Sequence, residues 1–136
     1  MKIFFDTNVL VSAFATQGLC ADLLRYVLVE QELVVGEFVL GELRRVLQER
    51  IGIPQETAQL IEGMLRDHSV VPKPREHLHL GLADGDDEWV VASAVAGGAD
   101  ILVTGDGGLT ALKEPPIRIL KPRGLWEVFH GQTRRH

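Results

Sequence analysis

Two short apolar runs, Ile3-Phe4-Phe5 and Ile101-Leu102-Val103, each lead into an aspartate, and this limits the chain to few folds. Each run is too short for a helix and is built of residues that suit a strand buried on both faces, as in parallel sheets. Asp6 closes the first run, and Thr7 and Asn8 then punctuate the chain. Asp106 follows the second run through Thr104 and Gly105, with Gly107-Gly108 beyond it. A carboxylate next to buried strand residues is costly unless something positive meets it.

Between and around these runs the apolar spacing changes to that of helices. The pattern predicts strand 3–5, helices 9–16 and 19–30, strand 33–35, helices 37–50 and 54–68, and strand 69–71. A Pro/His-containing loop 72–83, helix 86–97, strands 101–104 and 117–120, and helix 124–129 complete the order. Strands alternating with helices predict an α/β fold, a central parallel sheet with helices on both faces joined by right-handed crossovers. In such sheets sites form outside the carboxyl ends of the strands, where strand order reverses. If the first and fourth strands are neighbours, Asp6 and Asp106 converge there.

Two further acids sit where the helical pattern expects burial. Within 37–50 the apolar stripe is Phe38, Val39, Leu43, Val46 and Leu47, and Glu42 falls among them rather than with Glu37, Gly41, Arg44, Arg45 and Gln48. Asp87 opens the helix whose stripe continues through Val90, Val91, Ala94 and Val95, so it too faces inward. Asp84 suits the N-cap position, with Asp87 at capping-box spacing, so Asp87 serves both the helix start and the crevice.

The remaining bounds come from composition. At 136 residues, 46% hydrophobic and 24% charged, the chain reads as one folded domain over 1–130 with a frayed tail at 131–136. No apolar stretch approaches the ~20 residues that cross a bilayer, and the N-terminal apolar run is cut at Asp6, so neither a membrane span nor a signal peptide is expected. A single cysteine, Cys20, excludes an internal disulfide and fits a cytoplasmic protein. The formal charge of −5 argues against coating nucleic acid by bulk electrostatics. Residues 113–136 nevertheless carry +4, from Lys113, Arg118, Lys121, Arg123, Arg134 and Arg135 against Glu114 and Glu127, while the rest carries −9.

Four carboxylates in one crevice repel by about 4 kcal/mol per pair at 4 Å in an effective dielectric near 20. They need a cation, and an oxygen-only set without His or Cys at ligand spacing selects Mg²⁺ or Mn²⁺ over Zn²⁺. A divalent ion so held can activate water and offset charge on a phosphodiester, which points to a nuclease or another phosphoryl-transfer hydrolase.

The segments Phe5-Asp6-Thr7-Asn8-Val9-Leu10, Leu40-Gly41-Glu42-Leu43, Asp84-Gly85-Asp86-Asp87-Glu88-Trp89 and Ala99-Asp100-Ile101-Leu102-Val103-Thr104-Gly105-Asp106 resemble the motifs of the PIN-domain ribonucleases. More narrowly they resemble the VapC-like toxin components of toxin–antitoxin pairs, over roughly residues 2–125 and in that family's order. No single segment is specific; their order and spacing are. The resemblance implies a PIN-like three-layer fold and Mg²⁺- or Mn²⁺-dependent endonucleolytic cleavage of RNA to 5′-phosphate and 3′-hydroxyl ends. It also implies Asp6, Glu42, Asp87 and Asp106 as metal ligands, Asn8 as a helper in the pocket, and Thr104 as a hydroxyl orienting an acid. A cognate antitoxin and a homodimer are the implied partners. Where the family often has Ser or Thr five residues before the helix acid, this chain has Glu37.

Rival readings are a receiver-like or haloacid-dehalogenase-like phosphotransfer protein, which also places an Asp after its first strand, and a non-catalytic adaptor of the same fold. Asn8, where the phosphatase needs a second Asp, counts against that reading, and the receiver lacks an account of the helical acids. Bland roles suit several other residues. His77 and His79 read as loop residues without a third ligand, Trp89 and Trp126 as packing, and Asp100 as a solvated turn residue.

Overall fold

A computed structural model describes residues 1–76, 79–82 and 84–134. Five strands, β1 (Lys2–Phe5), β2 (Glu32–Gly36), β3 (Ser69–Val71), β4 (Ile101–Val103) and β5 (Arg118–Leu120), form one sheet in the order β3-β2-β1-β4-β5. Every adjacent pair is parallel. The chain lays down β1 to β3 in one direction, then returns across the sheet to β4 and β5. Right-handed crossovers in opposite directions place their helices on opposite faces, giving three layers. The reversal lies between β1 and β4, which pair as Ile3 with Ile101, Phe4 with Leu102 and Phe5 with Val103.

The helices are α1 (Thr7–Ala15), α2 (Leu19–Glu30), α3 (Glu37–Val46), α4 (Gln55–Arg66), α5 (Gly85–Ala96), α6 (Gly107–Thr110) and α7 (Pro122–Arg134). The sequence pattern missed α6, a single turn without room for an apolar period, and it closed the last helix early. The helical backbone in fact continues through 131–134 of the segment read as a tail, and residues 135 and 136 lie outside the described residues. The helix expected over 37–50 is α for ten residues and then π from Leu47 to Ile51, stopping at Gly52 with φ 80°. Only a residue without Cβ adopts that left-handed turn at little cost.

The core is the three-strand centre. Ile3, Phe4, Leu33, Val34, Ile101, Leu102 and Val103 are each at most 2% exposed. Leu40 belongs to the buried face of α3, whereas Phe38 is half-buried, and Val95 of α5 is 42% exposed rather than part of the stripe. No helix among the described residues is long and apolar enough to cross a membrane. Trp89 is half-buried with its ring 6.4 Å from Phe38, and Lys73 Nζ lies 4.4 Å from its centroid; Trp126 stacks on His130 at 3.8 Å. Asp100 does more than face water: its carboxylate accepts the Lys2 amide at 2.7 Å, pinning the start of β1 beside that of β4.

The close approach of α5 to the sheet depends on Gly97. A Cβ there would come within 2.5 Å of Val71 Cγ2 and 2.7 Å of Val34 Cγ1, both on branched side chains with little freedom to turn aside. Gly97→Ala should therefore destabilise the fold by about 1–3 kcal/mol in urea unfolding, the usual cost of overpacking. A neutral or stabilising result would mean that α5 sits farther from β2 and β3 than described.

Candidate metal centre at the carboxyl end of the sheet

The β1–β4 register continues one step beyond the strands. The Asp6 amide donates to the Val103 carbonyl at 2.9 Å and the Thr104 amide to the Leu120 carbonyl at 3.0 Å, so Asp6 and Thr104 are held side by side above the last paired residues. The Thr104 hydroxyl, fully buried, donates to Asp6 Oδ2 at 2.7 Å and accepts from the Asp106 amide at 3.0 Å. One hydroxyl therefore orients the first strand's acid and ties down the residue carrying the second. Asp106 in turn caps α6, its Oδ2 accepting the Leu109 amide at 3.0 Å.

Thr7 has the matching duty on the other side. Its amide donates to Asp6 Oδ1 at 2.7 Å, capping α1, and its hydroxyl donates to Glu42 Oε1 at 2.9 Å. From the sequence, Thr7 offers a break after the strand and a candidate helix cap, not a bridge to Glu42. A small hydroxyl residue next to a strand-end acid, with a second inward acid on a later helix, was the available signal. Asp6 is thus both an N-cap and a buried acid, 5% exposed, with a hydrogen bond to each oxygen.

Asp6, Thr7, Asn8 and Glu42 line a cleft of about 250 Å³, closed on the α5 side by Asp84, Asp86, Asp87 and Val90 and on the α3 side by Arg45, Val46 and Arg50. Asn8 is exposed there, and Asp84 caps α5 by accepting the Asp86 amide at 2.9 Å. Asp106 lies just outside this lining but within reach of its charges. Glu37 and His79 play no part in the lining. Glu37 is engaged by Arg66 through Nη1 at 2.6 Å and Nη2 at 2.9 Å, which holds its carboxyl below the usual range, and His79 is exposed in the loop. His77 lies outside the described residues.

Electrostatics follow from that gathering. Burial is the largest influence on Asp6, Glu42 and Asp87, and it raises all three. Neighbouring acids add to it. Asp106, Asp6 and Asp84 act on Asp87, which with a hydrogen-bonding contact to Asp106 rises from 3.8 to about 7. Its place in the first turn of α5 favours the charged form, but burial and three like charges outweigh the helix dipole. Glu42 feels Asp86 and Asp6, relieved by the Thr7 hydroxyl and Arg45.

The donor chemistry fits a hard divalent cation, since every acid offered is a carboxylate and Asp6, Glu42 and Asp87 are each harder to ionise beside the other acids. Among the described residues, no three His, Cys, Asp or Glu side chains are drawn close enough to grip an ion as they stand.

Asp87 is the place to measure this strain, because Asp6 also serves as a cap. Its folded pKa lies above its unfolded one, so the charged form destabilises the metal-free fold. That penalty is absent well below the unfolded value, grows as pH rises from about 4, and is complete above about 7. In chelator at about pH 8, Asp87→Asn should melt higher than the unchanged chain, and the gap should shrink as pH falls to about 4.5. A gap independent of pH, or a lower melting temperature at pH 8, would show that Asp87 carries no such strain.

Comparison with known proteins agrees with this architecture. Residues 2–107 match the family model described as PIN domain. No curated protein matches the chain. Among solved structures, VapBC2 from Rickettsia felis, bound to a DNA fragment from its promoter, is similar at TM-score 0.67 and 15% identity, covering 89% of this chain and 98% of that one. DNA-bound VapBC from Salmonella typhimurium gives 0.64 at 18%, over 90% and 98%, and VapBC-1 from nontypeable Haemophilus influenzae gives 0.61 at 18%, over 90% and 99%. Strand order also separates the chain from receivers, which run 2-1-3-4-5. With a family model matched over most of its length and the parallel sheet that the family calls for, the chain belongs to the PIN-domain family.

Proposed function

We propose that the chain is a Mg²⁺- or Mn²⁺-dependent endoribonuclease, the toxin of a pair whose cognate antitoxin restrains it. The observation that carries this reading is the convergence of buried and half-buried carboxylates from β1, α3 and α5, with Asp106 beside them, on one open cleft, two of them oriented by threonine hydroxyls. The solved VapBC pairs of similar fold support the antitoxin partner.

Asp6, Asp87 and Asp106 would hold the cation, with Glu42 joining from α3. When bound, it supplies the positive charge that offsets the carboxylates and the charge developing on the phosphodiester. The protein's own contribution is position. Thr104 fixes the rotamer of Asp6, and Thr7 fixes one Glu42 oxygen while leaving Oε2 without a hydrogen bond among the described residues. That second oxygen of Glu42 is the group to orient a water and take its proton. Water attacks phosphorus as Glu42 takes its proton, the bond to the 3′ oxygen breaks, and that oxygen takes a proton from solvent, giving 5′-phosphate and 3′-hydroxyl ends.

Purified protein should cut single-stranded or loop RNA only with Mg²⁺ or Mn²⁺ present. Glu42→Gln, which keeps volume and removes the charge, should retain the fold and lose at least about a hundredfold in rate, within the range for a positioned acid–base group. Cutting in excess chelator, products with 2′,3′-cyclic phosphate ends, or a loss below about tenfold in Glu42→Gln would overturn the reading.

A further inference from the structure

We infer that Arg45 and Arg50 form a phosphate-binding wall in the cleft, holding the RNA strand to one side of the bond that is cut. This rests on the ribonuclease reading above and specifies how a chain of net charge −5 admits a polyanion to a cleft full of carboxylates.

Three observations carry it. Both guanidinium side chains line the same cleft as Asp6, Glu42 and Asp87. They are also uncommitted. Arg44 binds Glu62 at 3.3 Å and Arg66 binds both Glu62 and Glu37, whereas Arg45 and Arg50 form no salt bridge among the described residues. Exposed arginines commonly find a carboxylate, and here acids stand close by in the cleft without closing on either.

The third observation is the backbone. In a continuous α-helix Arg50, eight residues after Glu42, would point about 80° around the axis from it. The π turn from Leu47 to Ile51 advances each residue by less, so Arg50 swings back toward the face that carries Glu42. That turn is held in place by fully buried Leu47, whose carbonyl accepts the Ile53 amide at 2.9 Å, and by the left-handed Gly52. Arg45 and Arg50 then lie about 4.5 Å and up to about 12 Å beyond Glu42 along the helix, on the same wall. A guanidinium fork matches the oxygens of a phosphodiester, and two in a row along a groove suit successive phosphates of one strand better than a lone anion.

The test compares the unchanged chain with Arg45→Ala, Arg50→Gln and the double variant on a short fluorescein-labelled single-stranded RNA, in Mg²⁺. Each single change should raise KM about tenfold with kcat held within about twofold, and Arg45→Lys should recover part of the loss. RNA affinity, measured in a Glu42→Gln background to prevent cutting, should lose about 1.4 from its log–log salt slope in the double variant, since each phosphate contact on single strands contributes about 0.7. Both residues are exposed, so melting temperatures should stay close to that of the unchanged chain. An unchanged KM and salt slope in a chain that still cuts RNA would overturn the phosphate wall and leave the ribonuclease reading standing. A fall in kcat at constant KM would also overturn it, by making the arginines counter-ions to the acids. If the unchanged chain neither binds nor cuts RNA, the ribonuclease reading fails and takes this inference with it.

Discussion

Everything at the candidate site hangs from the hydrogen bond between the Thr104 hydroxyl and Asp6 Oδ2, 2.7 Å long and buried at the seam where β1 meets β4. It exists because the two strands pair in one register. A slip of one residue would send Asp6 to the opposite face and leave the hydroxyl and the carboxylate without each other. The same hydroxyl accepts the Asp106 amide, so the strand pairing that buries Phe4 and Leu102 also sets the separation of two acids. Core and site are therefore one construction. Apolar burial supplies the register, and the register supplies the geometry that carboxylates would not adopt by themselves.

That construction has an electrostatic cost. Asp6, Glu42 and Asp87 are all harder to ionise than free carboxyls, mainly because burial removes water and then because each faces other acids. The two threonines hold them in place without neutralising them, and Arg45 and Arg50 form no salt bridge among the described residues. On the proposed reading, a cation would enter this cleft beside the acids and a phosphate chain beside the arginines. Natural sites often keep such uncompensated groups where function requires them, at the expense of stability elsewhere.

Much of this was legible in the residues. Runs such as Ile3-Phe4-Phe5 and Ile101-Leu102-Val103 announce buried strands, and an acid at the end of each is visible without coordinates. Helical spacing placed Glu42 on the side of α3 that turns to the cleft, since a period of 3.6 residues survives from sequence to structure. What stayed hidden depended on three-dimensional accidents of the chain. The bridging role of Thr7 needs the distance between α1 and α3, which no local pattern encodes. The cleft position of Arg50 needs a π turn, and one extra residue in a helical turn leaves almost no trace in hydrophobic periodicity. Val95 looked like part of the buried stripe because of its spacing, yet it is 42% exposed near the C-terminal end of α5, next to fully buried Ala94.

The central claim is that these acids are a cation site. Its most direct test is a crystal of the protein soaked in about 10 mM Mn²⁺ and measured for anomalous scattering. A peak should appear within about 2.0–2.6 Å of carboxylate oxygens of Asp6, Asp87 and Asp106, the range of hard divalent ions on oxygen ligands. No peak at that position, or one bound only at surface acids such as Glu37 and Glu62, would contradict the account.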